Sequence, residues 1–149
     1  MIRSDALTLA SERHSKDMGR YDFFAHDTAK SSYFPAGSKP WDRMARSGYD
    51  YSNSSRAENL VAGYDTARKA FEAWRAYPGH NRNMLNRNQK VIGIARVPVP
   101  GSKYGWYWPT DFSSEKDRTS HAPGETPSSE RKQADGKEQK PRVRANYRG

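Results

Sequence analysis

The sequence of 149 residues contains no cysteine, so neither disulfides nor thiolate-bound metals can stabilise it. It has no stretch close to the roughly 18 apolar residues that a membrane-spanning helix needs. Its N-terminus also lacks the basic segment, apolar run and small-residue cleavage site of a secretory signal peptide. A helical pattern instead follows Met1 almost at once. The sequence therefore predicts either a cytosolic protein or a chain that begins inside its own domain.

Aromatic residues are nearly absent from the last 37 residues, where Tyr147 is the only one. This segment lacks the apolar side chains whose burial would offset the entropy lost on ordering. We therefore predict an ordered domain over 1–112 and a disordered, basic, polar tail over 113–149. A domain of that size buries roughly 65% of its unfolded surface, which is enough for a core without disulfides.

Acidic residues are fewer than basic ones. The sequence has 17 Asp and Glu and 26 Lys and Arg, and its formal net charge is +9. The positive residues of the domain, Arg43 among them, are scattered and form no recognisable groove-reading motif. This pattern argues against specific nucleic-acid recognition. We interpret these residues as a cationic surface that attracts anionic cell-wall polymers, lipid headgroups or, without sequence specificity, nucleic acid.

Three stretches have the three-four spacing of amphipathic helices, at 4–18, 38–48 and 65–77. Their expected N-caps are Ser4 or Asp5, then Ser38, then Asp65. The side chains expected to face inward are Ala6, Leu7, Ala10, His14 and Met18 in the first helix, Trp41, Met44 and Ala45 in the second, and Ala67, Ala70, Phe71 and Trp74 in the third.

Strand patterns occupy the remaining apolar segments, a short one at 60–62 and two longer ones at 90–97 and 103–112. The segment PVPGS between the longer two has the composition of a hairpin loop. The order of elements predicts an α+β fold with helices packed on a small antiparallel sheet. Pro109 has no N–H to donate, so its strand is expected at an edge or a bulge.

Four side chains could carry chemistry: His14, His26, Glu58 and His80. His80 follows a Pro-Gly corner, which would hold its ring firmly while leaving one side open. No compact catalytic signature is present, so any site must be assembled in space. His26, His80 and Glu58 have the donor types of a catalytic zinc site, but their wide spacing gives that site no support.

Ordinary structural roles are the alternative for each of these residues. His14 lies on the apolar stripe of a helix, where a packed histidine usually donates to a carbonyl or a carboxylate. Asn59 could bond loop backbone and thereby turn Glu58 inward. Ser15 and His14 point about 100° apart on a helix, which argues against a nucleophile pair within this dipeptide.

Six segments in order carry a family resemblance: ERHSKDM, YDFFAH, KPWDRMARSGYDYS, AENLVAGYDTARKAFEAWRAYPGHNRNML, VIGIARV and YGWYWPTDF. They resemble the bacterial branch of the CAP superfamily, the SCP-domain group of cysteine-rich secretory, antigen 5 and pathogenesis-related proteins. The bacterial pattern runs HSxDM, FSH, GEN, WxxSPGHRxNIL, IGVG and YWTQxF. The resemblance extends over about residues 7–112, and six motifs in the right order make it highly specific.

The resemblance implies an α-β-α sandwich, a secreted or surface-held protein, and a cleft lined by histidine and acidic residues. In several relatives that cleft holds a divalent metal, zinc or another cation. Position by position, the metal-ligand set would be His26, His80 and Glu58. Other cleft positions match His14, Ser15 and Asn59.

Two departures from the family pattern concern the cleft. Tyr77 stands where eukaryotic relatives carry a second glutamate, so it is expected to line the cleft instead, and the last strand contains no histidine. The eukaryotic four-residue cleft is therefore not reproduced. The family's first helical segment also begins earlier than Met1, which favours a chain that lacks its export signal.

The favoured function is a non-enzymatic binding module, extracellular or at the cell surface, for a small-molecule, lipid or cell-envelope ligand or a metal. The alternative is a peptidase-like hydrolase in which Glu58 and His80 carry catalysis, either with zinc or by acid/base chemistry alone. No nucleophile or set of oxyanion donors is visible in the sequence. The fold class by itself fixes neither function.

Overall fold

The computed structural model describes residues 1–125, and the greater part of the predicted tail, 126–149, lies outside the described residues. The elements of the described part are β1 (Ile2–Ser4), α1 (Asp5–Arg20), α2 (Pro40–Arg46), β2 (Arg56–Ala62), α3 (Ala67–Ala76), α4 (Pro78–Leu85), β3 (Val91–Ile94), β4 (Val97–Pro98), β5 (Trp106–Ser113) and β6 (Ser120–His121). Within this part, no helix combines the length and the apolar character needed to cross a bilayer.

The strands form one six-stranded sheet with helices on both faces. The strand order is β2-β5-β3-β1-β6, and β4 pairs with β5. α1 and α2 pack on one face around Leu7, Met44 and Val91. α3 packs on the other face around Ala70 and Trp108. The predicted α-β-α sandwich is confirmed, but the sheet is mixed rather than purely antiparallel, because β1 runs parallel to β3.

α1 begins where its sequence predicts and lies directly against β3. The Ser4 hydroxyl caps the helix by accepting a hydrogen bond from the Leu7 N–H (3.2 Å). At Gly93 of β3 the backbones approach so closely that an added β-carbon would lie 2.2 Å from the Leu7 carbonyl carbon. The glycine therefore sets the depth at which α1 packs, and with it the position of every α1 side chain above the sheet.

α2 buries a different face from the one that its sequence predicts. Its N-cap is Lys39 rather than Ser38. Trp41, expected inside, is 46% exposed, and Ala45 is exposed as well. The side chain that turns inward beside Met44 is Arg43, which is buried. An arginine is almost never buried without a charged partner, and that partner is described below.

α3 also exposes more of its surface than its apolar pattern predicts. Its N-cap is Thr66 rather than Asp65. Ala70 and Trp74 are buried, whereas Phe71 is 48% exposed and Ala67 is exposed. The fully buried side chains of α3 are thus one i, i+4 pair.

Pro109 lies in the central strand β5 and not at an edge. Its carbonyl accepts from the Ala95 N–H (3.2 Å) on the side of β3 and β4, so its missing N–H falls on the same side. The ladder is interrupted there, since β3 ends at Ile94 and β4 begins at Val97. The pairing register is the same before and after the gap, so the interruption accommodates the proline without a bulge.

The predicted domain boundary at residue 112 is too early. β5 continues to Ser113, and β6 pairs antiparallel with β1. The segment between these strands is held by Asp117, whose carboxylate accepts from the hydroxyls of Thr119 (2.6 Å) and Ser120. Short polar side chains order this segment, which is why a shortage of apolar residues did not reveal it.

The close approach at Gly93 predicts that Gly93→Ala lowers the free energy of unfolding by about 3 kcal/mol or more, because the new methyl group overlaps helix backbone. Chemical denaturation monitored by circular dichroism measures this change. Gly79→Ala is the matched control, since an added β-carbon meets nothing within 4 Å there, and it should be neutral or slightly stabilising. Equal effects of the two substitutions would contradict the packing described here.

Candidate functional site

Glu58 of β2 is the centre of the candidate site, with a side chain that is only 2% exposed. Its Oε1 accepts a hydrogen bond from Nδ1 of His26 (2.8 Å), and its Oε2 accepts one from Nη2 of Arg43 (2.7 Å). Burial acts to raise the pKa of Glu58, but the hydrogen bond from His26 and the charge of Arg43 outweigh burial and lower the pKa. The buried carboxylate is therefore ionised.

His26 forms the solvent-facing end of this arrangement, with a side chain that is 54% exposed. The hydrogen bond to Glu58 raises the pKa of His26, which favours the protonated ring. Because Nδ1 is engaged with Glu58, Nε2 is the nitrogen available to solvent or to a ligand.

Arg43 forms the buried end, and its side chain is 1% exposed. Besides the bond to Glu58, its Nη1 donates to the carbonyl of His26 (2.6 Å), the hydroxyl of Thr28 (3.1 Å) and the carbonyl of Ser38 (3.1 Å). The guanidinium thus joins β2 to the loop between α1 and α2. It was predicted as part of a cationic surface, and that interpretation is wrong for this residue.

A second carboxyl, that of Asp111 on β5, lies directly opposite Glu58 in the strand pair. The Ser11 hydroxyl donates to its Oδ2 (2.9 Å), while Oδ1 is buried without a partner among the described residues. Burial, followed by the negative charge of Glu58, raises the pKa of Asp111 well above its ordinary value. We infer that Asp111 is protonated while Glu58 carries the charge, because two buried carboxyls this close do not both ionise.

His14 is fully buried, as its place on the helix stripe predicts. Its Nε2 donates to the Ala25 carbonyl (2.8 Å). Burial and the nearby charge of Arg43 lower the pKa of His14 to about 4, so the ring is neutral at pH 7. Ser15 is also fully buried, and its hydroxyl donates to the Ser11 carbonyl within α1 (3.0 Å). The prediction that His14 and Ser15 line a cleft is wrong, since both lie beneath the surface.

The Pro78-Gly79 corner is tied to the sheet by Asn59, which is fully buried on β2. Nδ2 of Asn59 donates to the His80 carbonyl (3.0 Å), and its Oδ1 accepts from Nδ2 of Asn83 (2.8 Å). Asn59 therefore bonds backbone as predicted, although it supports the corner and does not line a cleft. The His80 ring lies 5.8 Å from the Tyr77 ring and is half-buried, and burial lowers its pKa.

Two cavities are bordered by residues of β2, and each is lined by a different histidine. One, of about 230 Å³, is lined by His26, Glu58, Trp41 and Met44 among others. The other, which we term the aromatic groove, has a volume of about 290 Å³. Its lining consists of Phe24, Leu60, Val61, Ala62, Tyr64, Ala73, Tyr77, His80 and Tyr104. Tyr77 and His80 thus line the aromatic groove, whereas His26 and Glu58 line the smaller cavity.

These residues do not fit the divalent-metal site that the family resemblance implies. Nδ1 of His26 and both oxygens of Glu58 are engaged in hydrogen bonds, and a guanidinium lies against the carboxylate. Over residues 1–125, no group of three His, Asp or Glu side chains is placed to hold a metal ion. The arrangement also does not fit the acid/base alternative, since both oxygens of Glu58 accept hydrogen bonds and its imidazole partner is His26 rather than His80.

Arg43 and Asp111 are the site residues that sequence reasoning missed. The signal for Arg43 was its position beside Met44 on a short amphipathic helix, in a chain with a candidate buried glutamate. The signal for Asp111 was its place inside an aromatic strand, where a central strand buries both faces. Neither signal shows that these two residues lie beside Glu58.

The family model described as "CAP: Cysteine-rich secretory protein family" matches residues 3–112. A curated relative, the YkwD protein of Bacillus subtilis (strain 168), is 29% identical over 93 residues, which are 62% of this chain and 33% of YkwD. The chain thus spans about a third of the length of that relative.

Two solved structures share the fold. An outer surface protein of Borrelia burgdorferi aligns with a TM-score of 0.64 and 17% identity, over 78% of each chain. An extracellular protein with an SCP domain from Bacillus anthracis str. Ames aligns with a TM-score of 0.62 and 22% identity, over 77% of this chain and 34% of that protein.

The raised pKa of Asp111 predicts how the free energy of unfolding changes with pH. Between its unfolded and folded pKa the folded state binds more protons, so this group makes the free energy of unfolding fall as pH rises. Asp111→Asn keeps the shape but cannot ionise. The variant should therefore gain stability relative to the wild type as pH rises above about 4, by up to about 1.4 kcal/mol per pH unit for one proton.

Urea denaturation at a series of pH values measures this difference. Asp50→Asn, the same substitution at an exposed position, serves as the control for the change of a carboxyl to an amide. A constant difference between Asp111→Asn and the wild type across the range would show that Asp111 does not hold a proton in the folded protein.

Proposed function

The chain belongs to the cysteine-rich secretory protein (CAP) family, and we propose that it is a secreted or surface-held binding module. In this proposal the aromatic groove takes a small amphipathic ligand of the cell envelope, with an apolar or ring-shaped part and a polar end. The protein then acts by binding and not by turnover.

The composition of the aromatic groove is the observation that carries this proposal. Its volume of about 290 Å³ is near the lower end of the range for small-ligand pockets, roughly 300 Å³. Phe24 and Tyr104 pack with ring centroids 5.7 Å apart, and Tyr77 is 66% exposed beside His80. Aromatic faces offer apolar contact at low entropy cost, while tyrosine hydroxyls and an imidazole can orient a polar group.

Charge and fold relatives support a location at the envelope. The formal net charge of +9 favours association with anionic polymers or lipid headgroups. Two solved structures that share the fold are an outer surface protein and an extracellular protein.

The peptidase-like hydrolase has less support as a second function. Its candidate base, Glu58, is buried and bonded through both oxygens, and Ser15 is buried and bonded to its own helix. The zinc-dependent form also requires donors that the structure holds apart. The ring of His26 is open to solvent, and among the described residues it hydrogen-bonds Glu58 and no hydroxyl.

Binding to the groove is tested by nuclear magnetic resonance with two probes, a tetramer of N-acetylglucosamine and lysophosphatidylglycerol below its critical micelle concentration. We expect one of these probes to shift the signals of groove residues. Tyr77→Ala and Tyr104→Ala should each weaken that binding about tenfold or more, because each removes an aromatic contact worth at least about 1.4 kcal/mol.

Tyr51→Ala is the matched control, since Tyr51 is 42% exposed and lies outside the groove. It should leave the affinity unchanged. Binding that Tyr51→Ala weakens as much as Tyr77→Ala does, or the absence of groove shifts with both probes, would contradict the proposal.

A further inference from the structure

We propose that the Arg43 guanidinium is the built-in cation of this site and takes the place of a divalent metal between Glu58 and the loop of His26. The site is then complete without a metal ion. This inference concerns the buried pair beside the smaller cavity and is independent of any ligand in the aromatic groove.

The oxygen contacts of Arg43 resemble the ligand shell of a metal more than an ordinary surface ion pair. Four oxygens surround the guanidinium within 3.1 Å. They are Glu58 Oε2, the carbonyls of His26 and Ser38, and the hydroxyl of Thr28. The planar fork of an arginine can donate to several acceptors at once, which a lysine ammonium does less well.

Charge balance also favours Arg43 as the cation beside Glu58. The buried guanidinium and the Glu58 carboxylate neutralise each other, with side chains 1% and 2% exposed. A divalent ion on Glu58 would lie beside the positive charge of Arg43 and would compete with the N–H groups of Arg43 and His26 for the carboxylate oxygens. Sharing the carboxylate would weaken the neutralisation of the buried guanidinium, and an uncompensated buried charge is strongly unfavourable.

The acceptors of Arg43 lie on two separate parts of the fold. Glu58 belongs to β2, whereas His26, Thr28 and Ser38 belong to the loop that joins α1 to α2. Arg43 therefore ties that loop to the sheet, and it holds the backbone of His26 while Glu58 holds the ring of the same residue. Arg43 is in this sense a positioning residue for the exposed imidazole.

The first test is calorimetric titration of zinc into the full chain after dialysis against EDTA, with thermal unfolding in EDTA and in zinc. We expect no tight one-to-one site and the same midpoint in both. A site saturated a hundredfold above its Kd would raise the midpoint by roughly 10 °C. One-to-one binding that is lost in His26→Ala, with such a shift, would overturn the proposal.

The second test compares Arg43→Lys with Arg46→Lys, an exposed arginine on the same helix. Arg43→Lys keeps the charge but loses the fork, so it should lower the midpoint and move the resonances of the His26 imidazole. Arg46→Lys should do neither. Unchanged His26 resonances in a folded Arg43→Lys would overturn the proposal.

A milder variant covers the case in which Arg43→Lys does not fold. Thr28→Val removes one of the four acceptors and leaves the ion pair intact. It should shift the His26 resonances in a folded protein, and their constancy would count against Arg43 as the residue that positions the ring.

Discussion

A buried negative charge at Glu58 is the constraint on which the rest of this site depends. A carboxylate away from water is stable only when it is paired and fully hydrogen-bonded. Arg43 and His26 meet that requirement from opposite sides, one buried and one exposed. α2 consequently turns Arg43 inward and leaves Trp41 at the surface, and the loop after α1 is drawn against β2. Burial, followed by the same negative charge, raises the pKa of Asp111.

The layers of the fold were predictable from the sequence because their signals are local. The cap at Ser4, the stripe of α1, the Pro-Gly corner before His80 and the β-branched run of β3 each specify their own element. The order of six motifs then indicated the sandwich. The parallel pairing of β1 and the β6 strand were not predictable, since both are short and depend on polar contacts distant in sequence.

The site was only partly predictable, because a list of reactive side chains does not say which of them meet. Glu58 and His26 do contact each other, but His80 lines a different cavity, and His14 is fully buried. Arg43 was assigned to the cationic surface because the sequence of a seven-residue helix does not show which of its faces will contact a glutamate distant in sequence. The structure therefore contains a polar network around buried Glu58 and a separate aromatic groove that His80 lines.

The strength of the Arg43–Glu58 pair is the quantity that tests this account most directly, and a double-mutant cycle measures it. Arg43→Met and Glu58→Gln should each lower the free energy of unfolding by about 3–5 kcal/mol. Arg43→Met leaves Glu58 with the half-exposed His26 as its remaining charged partner, and Glu58→Gln leaves the guanidinium buried without its counter-charge. The double variant should lose less than the sum of the two, with a coupling of about 2 kcal/mol or more. Additive losses would show that the two residues do not stabilise each other and would contradict the central place given to this pair.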